Sequence, residues 1–159
     1  ETAGGESERM FLPTMNINHC KQCNMEGWGG CQRGFCGGYN DDLTKVIDAI
    51  RKADAVLFST PVYYSSLAES MRALTDRMRR IVTHMADPSG IANKPTIALA
   101  VAGGRGGGSV ECCLHLEKVL RTIGFDVVDV IPLRRQNLIA KCEQLKLAGE
   151  WLATLPHSE

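Results

Sequence analysis

The residues most able to do chemistry sit in one short stretch, NINHCKQCNMEGWGGCQRGFCGG (16–38), which carries Cys20, Cys23, Cys31 and Cys36 in the spacing C-x2-C-x7-C-x4-C. A C-x2-C pair acts as a two-pronged chelate, because its short loop can aim two thiolates at one centre. Gly27, Gly29, Gly30 and Gly34 let the backbone wind tightly around such a centre. Four thiolates suit a [4Fe–4S] cluster or a tetrahedral Zn ion, and the spacings of the two overlap. Iron–sulfur is the preferred expectation, with Zn as the alternative and plain reduced thiols on a surface loop as a third reading. The seven cysteines are an odd number, and the chain opens on the polar ETAGGESE with no secretory pattern. A reducing, cytoplasmic setting is therefore expected, where clustered cysteines serve a metal or redox site rather than disulfides.

Two further loops have chemical character. STPVYYSSLAESMRALTDRM (59–78) leaves an apolar run through a Thr-Pro turn and presents Tyr63 and Tyr64. Their flat faces and hydroxyls suit an aromatic heterocycle, although tyrosines in a helix-capping loop can equally cover a core. Ser65 or Ser66 is expected to cap the helix that follows. AVAGGRGGGSVE (100–111) surrounds Arg105 with glycines directly after another apolar run. Without Cβ atoms its backbone can approach a ligand closely, but a bare glycine loop can also be a hinge. It is not a dinucleotide fingerprint, which belongs to the first βα turn.

Elements must position these loops. ADAVLFST (53–60), PTIALAVA (95–102) and FDVVDVIPL (125–133) are continuous apolar runs of the kind that form strands covered on both faces, and ERMFLPT (8–14) is a weaker strand candidate. Between them, helical apolar stripes run through Leu43, Val46, Ile47 and Ile50, through Leu67 to Met85, through Cys112 to Ile123 with Gly124 as the stop, and from Leu138 to Leu155. Asn40, Asp41 and Asp42 suit the N-terminus of the first of these. Alternating helix and strand imply a parallel sheet with helices on both faces, whose ligands bind at the carboxyl ends of the strands. All three loops are therefore expected on one rim. The four strands are one short of a five-stranded doubly wound sheet, and the absent one would be the first, inside the sheet. Residues 1–159 are thus expected to form a single flavodoxin-like α/β domain, N-terminally shortened, lacking the first strand and with a Cys-rich loop at 19–38.

The composition excludes several classes. Equal numbers of basic and acidic residues, 18 each, argue against a nucleic-acid partner. No apolar run approaches the roughly 20 residues that span a bilayer, so no membrane partner is expected. A 44% hydrophobic fraction is that of an ordinary folded domain.

The motifs NINHCKQC, CGGYNDDL, IRKADAVLFSTPVYYSSLAESMRALTDRM, KPTIALAVAGGRGGG and IGFDVVDV together resemble the flavodoxin-like NADPH-dependent FMN reductases, and within them the iron–sulfur flavoprotein branch. The resemblance implies FMN at the carboxyl edge of the sheet. Thr60, Pro61, Val62, Tyr63, Tyr64, Ser65 and Ser66 would form one loop beside the flavin ring. Gly103, Gly104, Arg105, Gly106 and Gly107 would form the other, with Arg105 stabilising negative charge on the reduced ring. Cys20, Cys23, Cys31 and Cys36 match the family's compact cysteine motif, with the third cysteine set further along. The family's Gly-Ser-x-Arg-type phosphate loop has no counterpart in these residues and is expected outside them. No side chain is expected to act as a general acid or base, because the flavin itself accepts hydride and passes single electrons.

The expected function is that of a flavin-dependent oxidoreductase or electron-transfer flavoprotein using FMN and a [4Fe–4S] cluster. Its partners would be a small-molecule or protein electron donor and acceptor, with NAD(P)H as a candidate donor, and it would assemble as a homodimer or homotetramer. The alternatives are an NAD(P)H-dependent FMN or quinone reductase whose cysteines bind Zn or nothing, and a cofactor-free interaction module or inactive fragment. Other conspicuous residues are expected to be structural. Asp76 and Arg77 would make an ion pair or a helix-surface contact, Asp41 and Asp42 would cap a helix, and Cys112, Cys113 and Cys142 would pack as small hydrophobes.

Overall fold

A computed structural model describes residues 5–155. The expected helices form where the apolar stripes place them: α1 (Leu43–Lys52), α2 (Glu69–Val82), α3 (Ser109–Ile123) and α4 (Leu138–Leu152). Gly124, at φ +116°, ends α3 in the left-handed conformation that glycine adopts without steric cost. Strands β1 (Val56–Tyr63), β3 (Pro95–Ala102) and β4 (Asp126–Arg134) pair in parallel, and a two-residue strand β2 (Ser66–Leu67) folds back antiparallel on the end of β1. The sheet order is β2-β1-β3-β4. The fold is therefore α/β and flavodoxin-like, as the alternation of elements implied.

Helices α1, α2 and α3 cover one face of the sheet. Leu43, Ile47, Leu74, Met78, Leu116 and Leu120 meet Phe58, Ala98 and Val127 in the principal core. On the other face α4 lays Leu145, Ala148 and Leu152 over Ile97, Leu99, Ile131 and Leu133. Cover on this second face extends only over β3 and β4. Strand β1 buries Phe58 and Thr60 towards the helices but leaves Leu57 and Tyr63 on its other side more than half exposed. The apolar run that predicted a strand buried on both faces is thus buried on one. Among the described residues no helix in the chain is long and apolar enough to cross a membrane.

The strand expected at 8–14 does not form. That segment is irregular and ends in a 3₁₀ turn at Leu12–Thr14, with Pro13 inside it. No described strand lies beside it to supply a ladder, and Pro13 fixes its own φ and offers no N–H. The segment instead packs Met10, Leu12 and Met15 against the edge of the principal core. No described strand pairs with the free edge of β1 from Val56 to Pro61 either.

Truncating Leu74, which is 1% exposed in the principal core, should cost about 2–5 kcal/mol. Leu57→Ser, on the uncovered face, should stay within about 1 kcal/mol of wild type. Urea unfolding followed by far-UV circular dichroism checks both, and equal losses would contradict the one-sided cover of β1.

Candidate functional site

The cysteine loop is shaped by its short polar residues and glycines. Asn24 Oδ1 accepts from the N–H groups of Glu26 and Trp28, which turns the chain back after Cys23. Gly34, at φ +78°, closes the 3₁₀ turn Gly30–Arg33, and a Cβ there would lie 2.9 Å from Met85 Cα. A Cβ on Gly38 would lie 3.4 Å from Cys23 Sγ and 3.9 Å from Cys36 Sγ, so these two sulfurs flank the same glycine. All four predicted cysteines line one small, half-open cleft. Cys31 is buried, Cys20 and Cys36 are half-buried and Cys23 is exposed. The remaining wall brings Lys21, Arg77 and Arg80 to the same cleft.

The cations are held on aromatic rings and backbone oxygens. Lys21 Nζ donates to Gly38 O at 2.8 Å and stands 4.3 Å from the Tyr39 ring centre. Arg80 stacks 4.1 Å over Trp28 and donates to Gly27 O. Arg77 is tied most tightly. Its Nη1 donates to Asp41 Oδ2 at 2.5 Å and to Asn18 O at 3.1 Å, and its Nη2 donates to Asp41 Oδ1 at 3.1 Å and to Cys36 Sγ at 3.2 Å. Both side chains of the Arg77–Asp41 pair are 2% exposed. Asp41 Oδ2 also accepts from the backbone and side-chain amides of Asn18.

These contacts correct two expectations. Arg77 is not a surface residue paired with Asp76 but the buried partner of Asp41, 36 positions away. Asp42 stands at the N-cap of α1 but its side chain makes no cap hydrogen bond; instead its Oδ2 accepts from Asn16 N and Asp41 Oδ2 from Asn18 N, so the two carboxylates pin residues 16–18, the lead into the cysteine loop. Lys21, Tyr39, Arg77 and Arg80 were missed as lining residues, and Trp28 as the ring under Arg80. Their signal, basic and aromatic positions interleaved with the cysteines and spaced at i, i+3 on α2, points to a site only once the loop is folded onto that helix. Cys112 and Cys113 are buried as expected, and burial pushes the Cys113 thiol up to about 11. Cys142 is exposed, contrary to its expected packing.

The loops expected beside a flavin also come together. Tyr64 (φ +50°) and Ser65 (φ +59°) turn β1 into β2 through two successive left-handed residues, the geometry of a type I′ hairpin turn. Neither is glycine, so the turn is held against local backbone preference. Thr60 does not face solvent. It is 1% exposed, its Oγ1 accepts from Ala68 N and donates to Pro61 O, and it thereby holds the hairpin against the start of α2. Ala68 is the N-cap of that helix and no serine caps it; Ser66 Oγ instead accepts from Arg72. Val62 packs inward beside Ala100 and Cys112, whereas Pro61, Tyr63 and Tyr64 are exposed and Ser65 and Ser66 are half-buried.

In the glycine loop, Gly106 N donates to Gly103 O and Gln136 Nε2 to Gly104 O. Gly106 lies against the Arg134 side chain, and Arg105 projects outward. The two loops touch at Gly108, φ +79°, where a Cβ would lie 2.5 Å from Ser65 Oγ. Beside that junction Ser109 Oγ is buried with no hydrogen-bond partner among the described residues, and the Cβ positions of Gly103, Gly104 and Gly107 face open space. An unoccluded glycine backbone, an orphaned hydroxyl and two exposed tyrosines fit the ring portion of FMN. Four thiols ringed by three cations fit the net negative charge of a four-thiolate iron–sulfur cluster.

The cysteine cleft lies against the second half of α2, at Arg77, Arg80 and Ile81, and the flavin-type loops meet at the starts of α2 and α3. From Glu69 to Arg77 the helix advances about 12 Å. The loop is drawn down α2 by Arg77 on Cys36, Arg80 on Gly27 and Trp28 on His84.

Burial alone would raise the Asp41 pKa, but the hydrogen bonds from Arg77 and Asn18 prevail and bring it to about 2. A folded-state pKa below the unfolded value of roughly 3.9 stabilises the fold above pH 4, and that stabilisation is lost as the pH falls towards 2. The contribution is on the order of 2 kcal/mol. Urea midpoints should therefore fall from pH 5 to pH 2. Asp41→Asn should flatten that dependence and cost about 3–5 kcal/mol at neutral pH by leaving Arg77 buried without its counter-charge. In the flavin-type loops, Gly108→Ala should lose about 1–3 kcal/mol by forcing Ser65 away, and an unchanged melting temperature would contradict the contact.

The comparisons with known proteins agree with this geometry. A family profile described as NADPH-dependent FMN reductase matches residues 6–138. An iron-sulfur flavoprotein of Methanosarcina thermophila is 28% identical over 126 residues, which are 79% of this chain and 61% of that protein. One of Methanocaldococcus jannaschii is 29% identical over 134 residues, 82% of this chain and 60% of its own length. The chain thus spans about three fifths of the length of these curated relatives. Among solved structures, FerB of Paracoccus denitrificans, a flavoenzyme NAD(P)H:(acceptor) oxidoreductase, superposes with a TM-score of 0.51 at 20% identity over 76% of each chain, a likeness of fold. With its sheet, its paired loops and a family match over most of its length, the chain belongs to the NADPH-dependent FMN reductase family.

Proposed function

We propose that the chain is part of a flavin-dependent oxidoreductase that holds FMN on its Tyr63–Ser66 and Gly103–Gly107 loops and a [4Fe–4S] cluster on Cys20, Cys23, Cys31 and Cys36. The observation that carries this reading is the single cleft lined by all four cysteines and by Lys21, Arg77 and Arg80. When bound, FMN supplies hydride acceptance and one-electron exchange, and an iron–sulfur cluster supplies one-electron storage. The part left to the protein is binding and electrostatics. The glycines at 103, 104 and 107 admit a flat ring to the backbone, Tyr63 and Tyr64 offer faces to stack on it, and Arg105 stands on the same loop as a cation for its pyrimidine edge. The cations of the cysteine cleft offset the charge of four thiolates.

A cluster is favoured over Zn by the name iron-sulfur flavoprotein that the relatives carry, and the family description supports NAD(P)H as donor. Electron exchange within or across subunits of a homodimer or homotetramer, in a reducing cytoplasmic setting, completes the reading.

Anaerobically purified protein should be brown, with broad visible absorbance and iron and acid-labile sulfide in equal amounts. Cys23→Ser should abolish that absorbance and most of the iron while leaving any flavin band in place. Unchanged iron in Cys23→Ser would overturn the cluster assignment. A yellow protein free of iron would make this a cluster-free flavin reductase, and a colourless one with stoichiometric zinc would make the cleft a structural site.

A further inference from the structure

Arg77 stands out among the residues around the cysteine cleft because its hydrogen bonds divide between structure and site. Three go to Asp41 and Asn18 and one to a cysteine sulfur. We propose that Arg77 is the positioning residue of the four-cysteine site, fixing Cys36 Sγ through Nη2 and raising the reduction potential of the group those sulfurs hold. The proposal rests on the cluster reading above for its second half only.

The physical case starts from the anchor. Asp41 engages both terminal nitrogens of the guanidinium, so the plane of the fork is set by a buried carboxylate and not by the cysteine loop. The Tyr39 ring, 5.1 Å from the guanidinium carbon, restrains it further. The Nη2 that reaches Cys36 therefore presents an N–H in a fixed direction, and the sulfur is the group that adjusts. Arg77 is 2% exposed, so water screens its charge little, and arginine keeps that charge at every working pH. Reduction adds one negative charge to a cluster. A hydrogen bond from a cation to one of its sulfurs stabilises the reduced state more than the oxidised one and moves the potential upward. Lysine cannot reproduce this, because a point ammonium cannot bridge Asp41 with two nitrogens and reach Cys36 with one of them.

The test uses the purified chain before and after anaerobic reconstitution with iron and sulfide. In the iron-free chain, a double-mutant cycle of Arg77→Lys and Cys36→Ala on the unfolding equilibrium constant should show coupling of about fivefold or more. A purely structural Arg77, acting through Asp41 alone, would give additive effects. In the reconstituted chain, Arg77→Lys should shift the midpoint potential to more negative values at unchanged iron content, and by more than Arg80→Lys, whose side chain holds Gly27 O and no sulfur. Additivity in the cycle overturns the positioning role, and an unshifted potential at full iron loading overturns the tuning role. If wild type takes up no iron, the cluster reading and the tuning role fall together, and the cycle alone decides whether Arg77 places Cys36. If only Arg77→Lys fails to retain iron, the cycle again decides.

Discussion

The buried pair of Asp41 and Arg77 ties together parts of the molecule that are distant in the chain. One carboxylate at the head of α1 receives Arg77 from the middle of α2 and the amides of Asn18 from the irregular lead into the cysteine loop. The same guanidinium then reaches Cys36 at the far end of that loop. Two helices and both ends of the loop therefore converge on one ion pair with 2% of each side chain exposed. Placing two charges out of water is expensive, and such a pair stabilises a fold only when its remaining donors and acceptors are also satisfied. Here nearly all are. Arg77 Nε is the one atom of the pair left without a partner among the described residues. The pair's value is specificity as much as stability: it fixes where a glycine-rich loop, with little apolar surface of its own, must lie.

That placement has a consequence for chemistry. The loops that fit a flavin ring gather where the sheet ends, held by Thr60 under the hairpin and by the Ser65–Gly108 contact between loops. The cysteine cleft hangs from the flank of α2. The domain thus carries a glycine-lined rim with open backbone and the exposed cation Arg105, and a cleft of thiols walled by Lys21, Arg77 and Arg80. The rim favours a flat heterocycle approached from its face. The cleft favours a compact anionic group. Each environment follows from the side chains its elements supply, and α2 belongs to both, with its first turn under one and its second half against the other.

Much of this was legible in the amino-acid sequence. The periods of Leu43 to Ile50, of Leu74 to Met78 and of Leu116 to Ile123 place three helices, and the apolar runs at 56, 95 and 126 place three parallel strands, because buried faces must repeat at the period of the element that buries them. The spacing of Cys20, Cys23, Cys31 and Cys36 in one short loop already groups them, and the structure brings all four to one cleft. The segment at 8–14 misled because a strand is defined by its neighbour. Its apolar residues pack against the core as readily from an irregular path, and Pro13 removes a ladder donor.

Local pattern therefore determined the elements and the set of candidate ligands. Tertiary structure alone decided that Arg77 faces Asp41 instead of Asp76, that the Thr60 hydroxyl is a buried brace beneath the hairpin, and that the cysteine cleft packs on Arg77 and Arg80 of α2. Each of those outcomes depends on a contact between residues distant in the chain, such as the 36 positions from Asp41 to Arg77 and the 43 from Ser65 to Gly108. Periodicity reports which side of an element is buried. It carries no information about which charged group of another element waits there, and the cost of burying an unpaired charge is settled only when the two elements meet.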